Sequence, residues 1–389
     1  MTNKIQSIIG KHYITGKLIE VTMRHGVIET IKEIEGKSEE KQIIAPGFVD
    51  IQINGYKGYD FNEKSLEKEE WNAVTQHLLD VGVTTFYPTI ITNSFDTLSN
   101  ILKENMKILS EKGMYNGIIG GFHLEGPYLS PFDGPRGAHE KRFIKEPNWE
   151  EFCKLQEIAQ NQIKIVTISP EWDQAPFFIE KAAKSGVKVA IGHTSANSQQ
   201  IKNAVEAGAV LSTHLGNGAH ITLPRHPNYI WDQLAEENLW ASVISDGHHL
   251  PKNVLKVIQH VKNKRMILVS DSVALAGKEP GNYLTSVGGE VTLTEDNRLH
   301  LLNEPNLLAG SARNLLEGVQ HCIQSEVASL VESINKASIY PAILMDLFVQ
   351  EGLTVGAPAD LVVINAEEDN WKINKVYKQG RQRGGMNWN

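Results

Sequence analysis

Between residues 46 and 354 the chain repeats one pattern eight times: a short apolar run rich in β-branched residues, then a longer stretch with helical spacing. The runs lie at 48–53, 84–88, 118–124, 163–169, 187–191, 210–213, 241–245 and 266–270. Helical stretches such as 69–81 and 198–207 separate most of them. Strands linked through helices lie parallel, because a parallel return needs a long crossover. Eight such units predict a closed (β/α)8 barrel of the TIM type. An open doubly wound sheet is the alternative, and the chain has no Gly-rich dinucleotide turn to support it.

Both ends read differently. Lys17-Leu18-Ile19-Glu20-Val21 and Gly26-Val27-Ile28-Glu29-Thr30 alternate in polarity and are punctuated by Gly, as do Ala359-Asp360-Leu361-Val362-Val363-Ile364 and the run before Gly380. Period-two alternation broken by Gly predicts short antiparallel strands. The expected organisation is a small β-sandwich domain built from 1–45 and 355–389, flanking a barrel domain at 46–354. A chain of 389 residues with 41% hydrophobic content is long enough to fill both cores.

The net charge of −8 argues against nucleic acid as a partner, since phosphate backbones are held by clusters of Lys and Arg. A single local Arg or His pair can still hold one small anion. The two cysteines, Cys153 and Cys322, have no metal-type spacing and form no disulfide framework, which fits a reducing compartment. No run reaches the roughly 18 apolar residues of a membrane span, and the first residues lack the apolar core of a signal peptide. The expectation is a cytoplasmic protein without membrane contact.

Five of the eight runs lead directly into an acid or a histidine: Glu125, His193, His214, the segment Asp246-Gly247-His248-His249, and Asp271. In a barrel all these strand ends converge on one face, where active sites are built. A lone His there is more often structural, but five coincidences at successive junctions favour a site. One carboxylate and two imidazoles suit a divalent transition metal such as zinc or iron. Three protein ligands leave a position for water, as catalytic centres do. Asp271, across the mouth, is the candidate general base and acid, with a helix N-cap as its bland alternative. His249 is placed to hold or polarise a substrate, and His248 beside it should point elsewhere. Arg225, in a long loop after the sixth strand, is equally readable as an anion contact or as an exposed loop residue.

These residues lie within segments that resemble the amidohydrolase superfamily and, within it, the N-acetylglucosamine-6-phosphate deacetylases. The matching segments are 45–55, 82–89, His123-Leu124-Glu125-Gly126-Pro127, Gly192-His193-Thr194, Thr213-His214-Leu215-Gly216-Asn217, Leu308-Ala309-Gly310-Ser311 and 356–361. The most discriminating is Gln52-Ile53-Asn54, because most of the superfamily carries His-x-His there for a second metal. Neutral amides bind such ions poorly, so one metal ion per subunit follows. The resemblance implies Glu125, His193 and His214 as ligands and Asp271 as the proton-transfer group. It implies His139, Asn217, Gly218, Arg225 and His249 as contacts to an amino-sugar substrate. It also implies a homodimer, with Arg225 reaching a phosphate across the interface.

The implied reaction is metal-dependent removal of an acetyl group from an amino sugar carrying a 6-phosphate. Departures at Gly216-Asn217-Gly218-Ala219-His220 and Arg225-His226-Pro227-Asn228 fall in the substrate loop and leave open another or unphosphorylated N-acyl hexosamine. A cyclic-amide hydrolase would need His-x-His and a Lys after the fourth strand, where this chain has Ser169-Pro170-Glu171. A non-catalytic sugar binder would lack a ligand or the base, and none is missing.

Overall fold

The computed structural model describes residues 5–35, 42–111, 117–285, 289–367 and 370–385. Eight parallel strands make the central sheet: β1 (Phe48–Ile53), β2 (Val83–Ile91), β3 (Phe122–Glu125), β4 (Ile163–Ile168), β5 (Lys188–Ile191), β6 (Ala209–Ser212), β7 (Trp240–Ile244) and β8 (Met266–Val269). They neighbour one another in chain order from β1 to β8. No ladder joins β8 to β1 among the described residues, but the chain just past their ends does. Asp271 N–H donates to Gln52 O at 2.9 Å, and Asn54 N–H donates to Ser272 O at 2.8 Å. The result is the nearly closed TIM-like barrel that the eightfold repeat predicts.

Its interior is apolar along the strands. Val49, Ile51, Ile165, Leu211 and Ile267 cluster with Tyr340, Leu344 and Met345, from and just after the helix Ile339–Leu344. The polar side chains gather past the strand C-termini, where Glu125, His193, His214 and Asp246 are all buried. Several of the helices start where the sequence caps them. Asn197 with Gln200 forms a capping box for Ser198–Ala207, and Asn314 with Glu317 does so for Leu315–Gln324.

Two features depart from the expected element list. The third strand begins at Phe122 rather than at 118, because Gly121 sits at φ +130°, where an added Cβ would lie 2.4 Å from Lys164 Cγ. After β8 an antiparallel sheet of Gly281–Thr285, Gly289–Leu293 and Leu299–Leu301 is inserted, with its own small core of Leu275, Val291, Leu293 and Leu299. That segment carries alternation too short to separate from loop.

The terminal segments form one continuous seven-stranded sheet. Its order is Arg381–Gly384, Asn370–Lys378, Leu361–Glu367, Gln42–Pro46, Gln6–His12, Leu18–Arg24 and Val27–Glu33. Gln42–Pro46 is the junction, antiparallel to Leu361–Glu367 and parallel to Gln6–His12. The sheet curls so that its two outer hairpins meet: Ala359 N–H donates to Gly26 O, and Gly380 N–H donates to Ala359 O, both at 2.9 Å. The sandwich-like form therefore comes from one sheet bent over itself. No helix among the described residues is long and apolar enough to cross a membrane.

Candidate metal centre and active site

The strand ends do converge. Glu125, His193 and His214 offer three donor atoms that lie within 4.8 Å of one another, all buried. Glu125 Oε1 stands 3.2 Å from His193 Nε2 and 3.0 Å from His214 Nε2, and the two nitrogens are 3.0 Å apart. Zinc bonds of about 2.0–2.2 Å at tetrahedral angles place neighbouring ligand atoms roughly 3.3 Å apart. The observed edges fit an ion of that kind with little adjustment. Burial works against the Glu125 carboxylate, yet its close contacts with the His193 and His214 imidazoles hold it well below its usual range. The donor set is ready to bind a cation without first losing a carboxyl proton.

Backbone geometry aims these ligands. His193 sits at φ +48° and His214 at +30°, left-handed conformations that non-glycine residues seldom adopt. His193 Nδ1 lies 2.8 Å from Pro135 O, so that nitrogen carries the proton and Nε2 keeps its lone pair for a metal. Gly218, at φ +57°, packs against the same ring, and an added Cβ would come 2.5 Å from His193 Nδ1. Beneath the centre is a polar floor. His123 bonds Ile51 O at 3.1 Å and Thr167 Oγ1 at 2.7 Å, and Thr167 Oγ1 is 2.8 Å from Thr213 Oγ1. Burial pushes His123 down to about 4, so it serves as a neutral strut.

Asp271 follows β8 at φ +45°, near enough to Glu125, His214 and His249 to feel their charges. Burial, opposed in part by His214 and reinforced by Glu125, pushes its carboxyl up to about 7. A cation in the triad would draw that value down. The first-strand amides are not idle. Asn54 Nδ2 donates to Asp271 Oδ1 at 2.7 Å, and Gln52 Nε2 donates to Glu125 Oε1 at 3.1 Å. The two amides therefore each orient a carboxylate of the site.

The remaining predicted residues are placed unevenly. His139 is buried with Nε2 3.3 Å from His193 Nε2; burial, then His193, pushes it down to about 3, so it is neutral. His249 bonds Asp246 Oδ2 through Nδ1 at 2.7 Å, while Asp246 Oδ1 accepts the N–H groups of His248 and His249 at 2.9 Å each. Despite burial, those bonds hold Asp246 well below the usual carboxylate range. The i, i+3 spacing of Asp246 and His249 was the sequence signal for this pair, and reading Asp246 only as a strand end missed it. His248 points away, with Nε2 3.1 Å from Asp296 O. Asn217 and Gly218 line a small cleft with His193, Thr194, Tyr229 and Gln233. His220, one of the departures from the family pattern, donates its N–H to Tyr229 Oη at 2.7 Å on the rim of that cleft. Arg225 is exposed on the same loop and makes no side-chain hydrogen bond to these groups among the described residues.

Comparison with known proteins shows the family and the fold. The amidohydrolase family model matches residues 43–383. The N-acetylglucosamine-6-phosphate deacetylase of Bacillus subtilis (strain 168) is 31% identical over 356 residues, covering 90% of this chain and 87% of that protein. The solved structure of the Pasteurella multocida enzyme of the same name superimposes with a TM-score of 0.85 at 23% identity, covering 98% of this chain and all of the other. A Mycobacterium smegmatis enzyme of that name, an aspartate-to-alanine mutant in complex with N-acetyl-D-glucosamine-6-phosphate, gives 0.82 at 22% identity, covering 99% of this chain and 100% of the other. With one acid and two histidines at the ends of β3, β5 and β6, and amides at Gln52 and Asn54, the chain belongs to the amidohydrolase family, among its N-acetylglucosamine-6-phosphate deacetylases.

Proposed function

We propose that this chain hydrolyses the acetamide bond of N-acetylglucosamine 6-phosphate, releasing acetate and glucosamine 6-phosphate. One observation carries the reading: a single three-donor centre faces one separate buried carboxylate, Asp271, with Asn54 fixing that carboxylate's orientation. A divalent ion held by Glu125, His193 and His214, zinc or iron by donor type, would acidify water and polarise the acetyl carbonyl. Asp271 takes the proton from the attacking water and returns it to the leaving amine nitrogen as the C–N bond breaks. His249, fixed through Nδ1 by Asp246, presents Nε2 to the oxygen on which negative charge develops. His139 flanks the ion site beside His193, where it can contact the acetamide or the sugar.

Asn217 and Gly218 form the cleft wall on the sugar side, and Arg225 is proposed to reach the phosphate of a partner subunit in a homodimer. In support, Ile221 is 92% exposed and Trp231 55% exposed on the segment that carries Arg225, and Phe132 is 57% exposed on the loop whose Gly134 packs against His220. Apolar side chains in such exposed positions gain stability when a second subunit covers them. Two free cysteines, one buried and one exposed, support a reducing compartment.

The test combines metal analysis with acetate release from the sugar with and without its 6-phosphate. The expected result is one ion per chain and faster release from the phosphorylated sugar. Metal bound with no acetate from either compound overturns the reading; equal rates would move the substrate to the unphosphorylated hexosamine.

A further inference from the structure

Glu171 lies outside the triad and outside the set of residues matched to substrate, yet its carboxylate gathers four hydrogen bonds from the barrel mouth. Oε1 accepts from Ser130 Oγ at 3.0 Å. Oε2 accepts from Ser169 Oγ at 2.8 Å, from Ser195 N–H at 2.8 Å and from Ser195 Oγ at 2.7 Å. These donors come from the segments that follow β3, β4 and β5. No Lys, Arg or His is paired with Glu171 among the described residues, so neutral donors alone satisfy it. A carboxylate suits this task because both of its oxygens only accept.

We propose that Glu171 is a positioning residue of the metal centre: by clasping three loops it holds the left-handed turn that aims His193 Nε2 at the ion. The inference rests on the reading of Glu125, His193 and His214 as an ion site. His193 hangs between two anchors. On one side Gly192 N–H donates to Ile168 O at 3.1 Å; on the other, Ser195 is held through both its N–H and its hydroxyl by Glu171. Its own carbonyl accepts from Ser130 N–H at 2.9 Å, and Ser130 is again bound to Glu171. The loop starting at Ser130 also carries Pro135, whose carbonyl fixes the His193 tautomer, and His139. A non-glycine residue at φ +48° persists only where its surroundings over-determine it. Glu171 is the group through which those surroundings are joined.

The experiment uses Glu171→Gln and the paired variant Ser130→Ala/Ser195→Ala. Zinc dissociation constants would be measured by competition with a chromophoric chelator. The visible spectrum of cobalt(II)-loaded protein would report ligand geometry, and melting of the metal-free protein would report the fold. Gln replaces one of the two acceptor oxygens with a donor, so it can no longer accept from Ser130 on one side and from Ser169 and Ser195 on the other, and E171Q should weaken zinc binding about 10- to 100-fold and shift the cobalt bands. Melting of the metal-free form should fall by no more than a few degrees. Parent-like zinc affinity and cobalt spectrum in E171Q, even with lowered melting, would reduce Glu171 to a loop brace and overturn the proposal. Should E171Q fail to fold, the serine pair decides: several-fold weaker zinc binding supports the clasp, and parent-like binding overturns it. A parent protein that binds no zinc overturns the underlying metal reading instead.

Discussion

Three residues of the proposed site share a backbone signature: His193, His214 and Asp271 all lie at positive φ. Each such turn costs on the order of 1 kcal/mol, so the fold must hold it from outside. At His193 part of that hold is steric, with Gly218 and Gly137 leaving room for the ring. Gly218→Ala adds a methyl group 2.5 Å from His193 Nδ1 at a φ of +57°. It should weaken metal affinity at least tenfold while the metal-free protein still folds; a chelator titration showing unchanged affinity would refute this. Asp271 makes a different prediction. As the proton acceptor it must be ionised, so turnover should rise with pH through its pKa. Burial sets that value near 7 without a cation, and a bound ion lowers it, which puts the acid limb below neutrality. Asp271→Asn should lose about 10²- to 10⁴-fold in kcat with metal content intact. A variant within tenfold of the parent, or one keeping the same acid limb, would remove Asp271 from the proton-transfer role. The convergence of Glu125, His193 and His214 was legible in the sequence because each sits at a strand end. Two of their supports were not: Pro135 acts through a carbonyl, which no side-chain motif records, and Glu171 acts through Ser130 and Ser195, which are distant in the chain.

At the scale of elements, the eight strands could be read from apolar runs because burial inside a barrel leaves little choice of residue. The seam between β8 and β1 could not, since no ladder forms there. It is stitched by Asp50, whose Oδ1 accepts from Ser270 N–H at 3.2 Å while Oδ2 is buried without a partner. Burial, only partly offset by those hydrogen bonds, pushes Asp50 up from 3.8 to about 7. Between these two values the folded chain holds a proton that the unfolded chain has released. Stability from this group is therefore present at low pH and lost as pH rises through the window, by at most about 1.4 kcal/mol per pH unit. Asp50→Asn keeps an oxygen for Ser270 and removes the ionisation. Urea unfolding of the metal-free protein at pH 5 and pH 8 should show the parent losing more stability than the variant. An identical loss in both would mean that Asp50 does not titrate in this range.

For the whole molecule, alternating runs at both ends announced a β-rich companion to the barrel, yet not the single curled sheet that Gln42–Pro46 joins. Strand order depends on pairing between residues more than 300 positions apart, which local pattern does not encode. One polar link between the sheet and the barrel runs through an ion pair buried at the sheet's own end. Lys378 Nζ donates to Asp360 Oδ2 at 2.7 Å and to Thr85 Oγ1 at 3.1 Å, and Thr85 is in the first half of β2, away from the strand ends that bear the triad. In this architecture the N-terminal end of the barrel serves stability and the C-terminal end serves chemistry. The fastening should therefore separate the two. Lys378→Met leaves the Asp360 carboxylate buried without its cation, a loss of about 3–5 kcal/mol in pairs of this kind. Urea unfolding should report a loss of that order, while the zinc dissociation constant of the folded variant stays at the parent value. A stability change below about 1 kcal/mol would show the pair to be dispensable, and a matching loss of zinc affinity would show that the terminal sheet shapes the site as well as the fold.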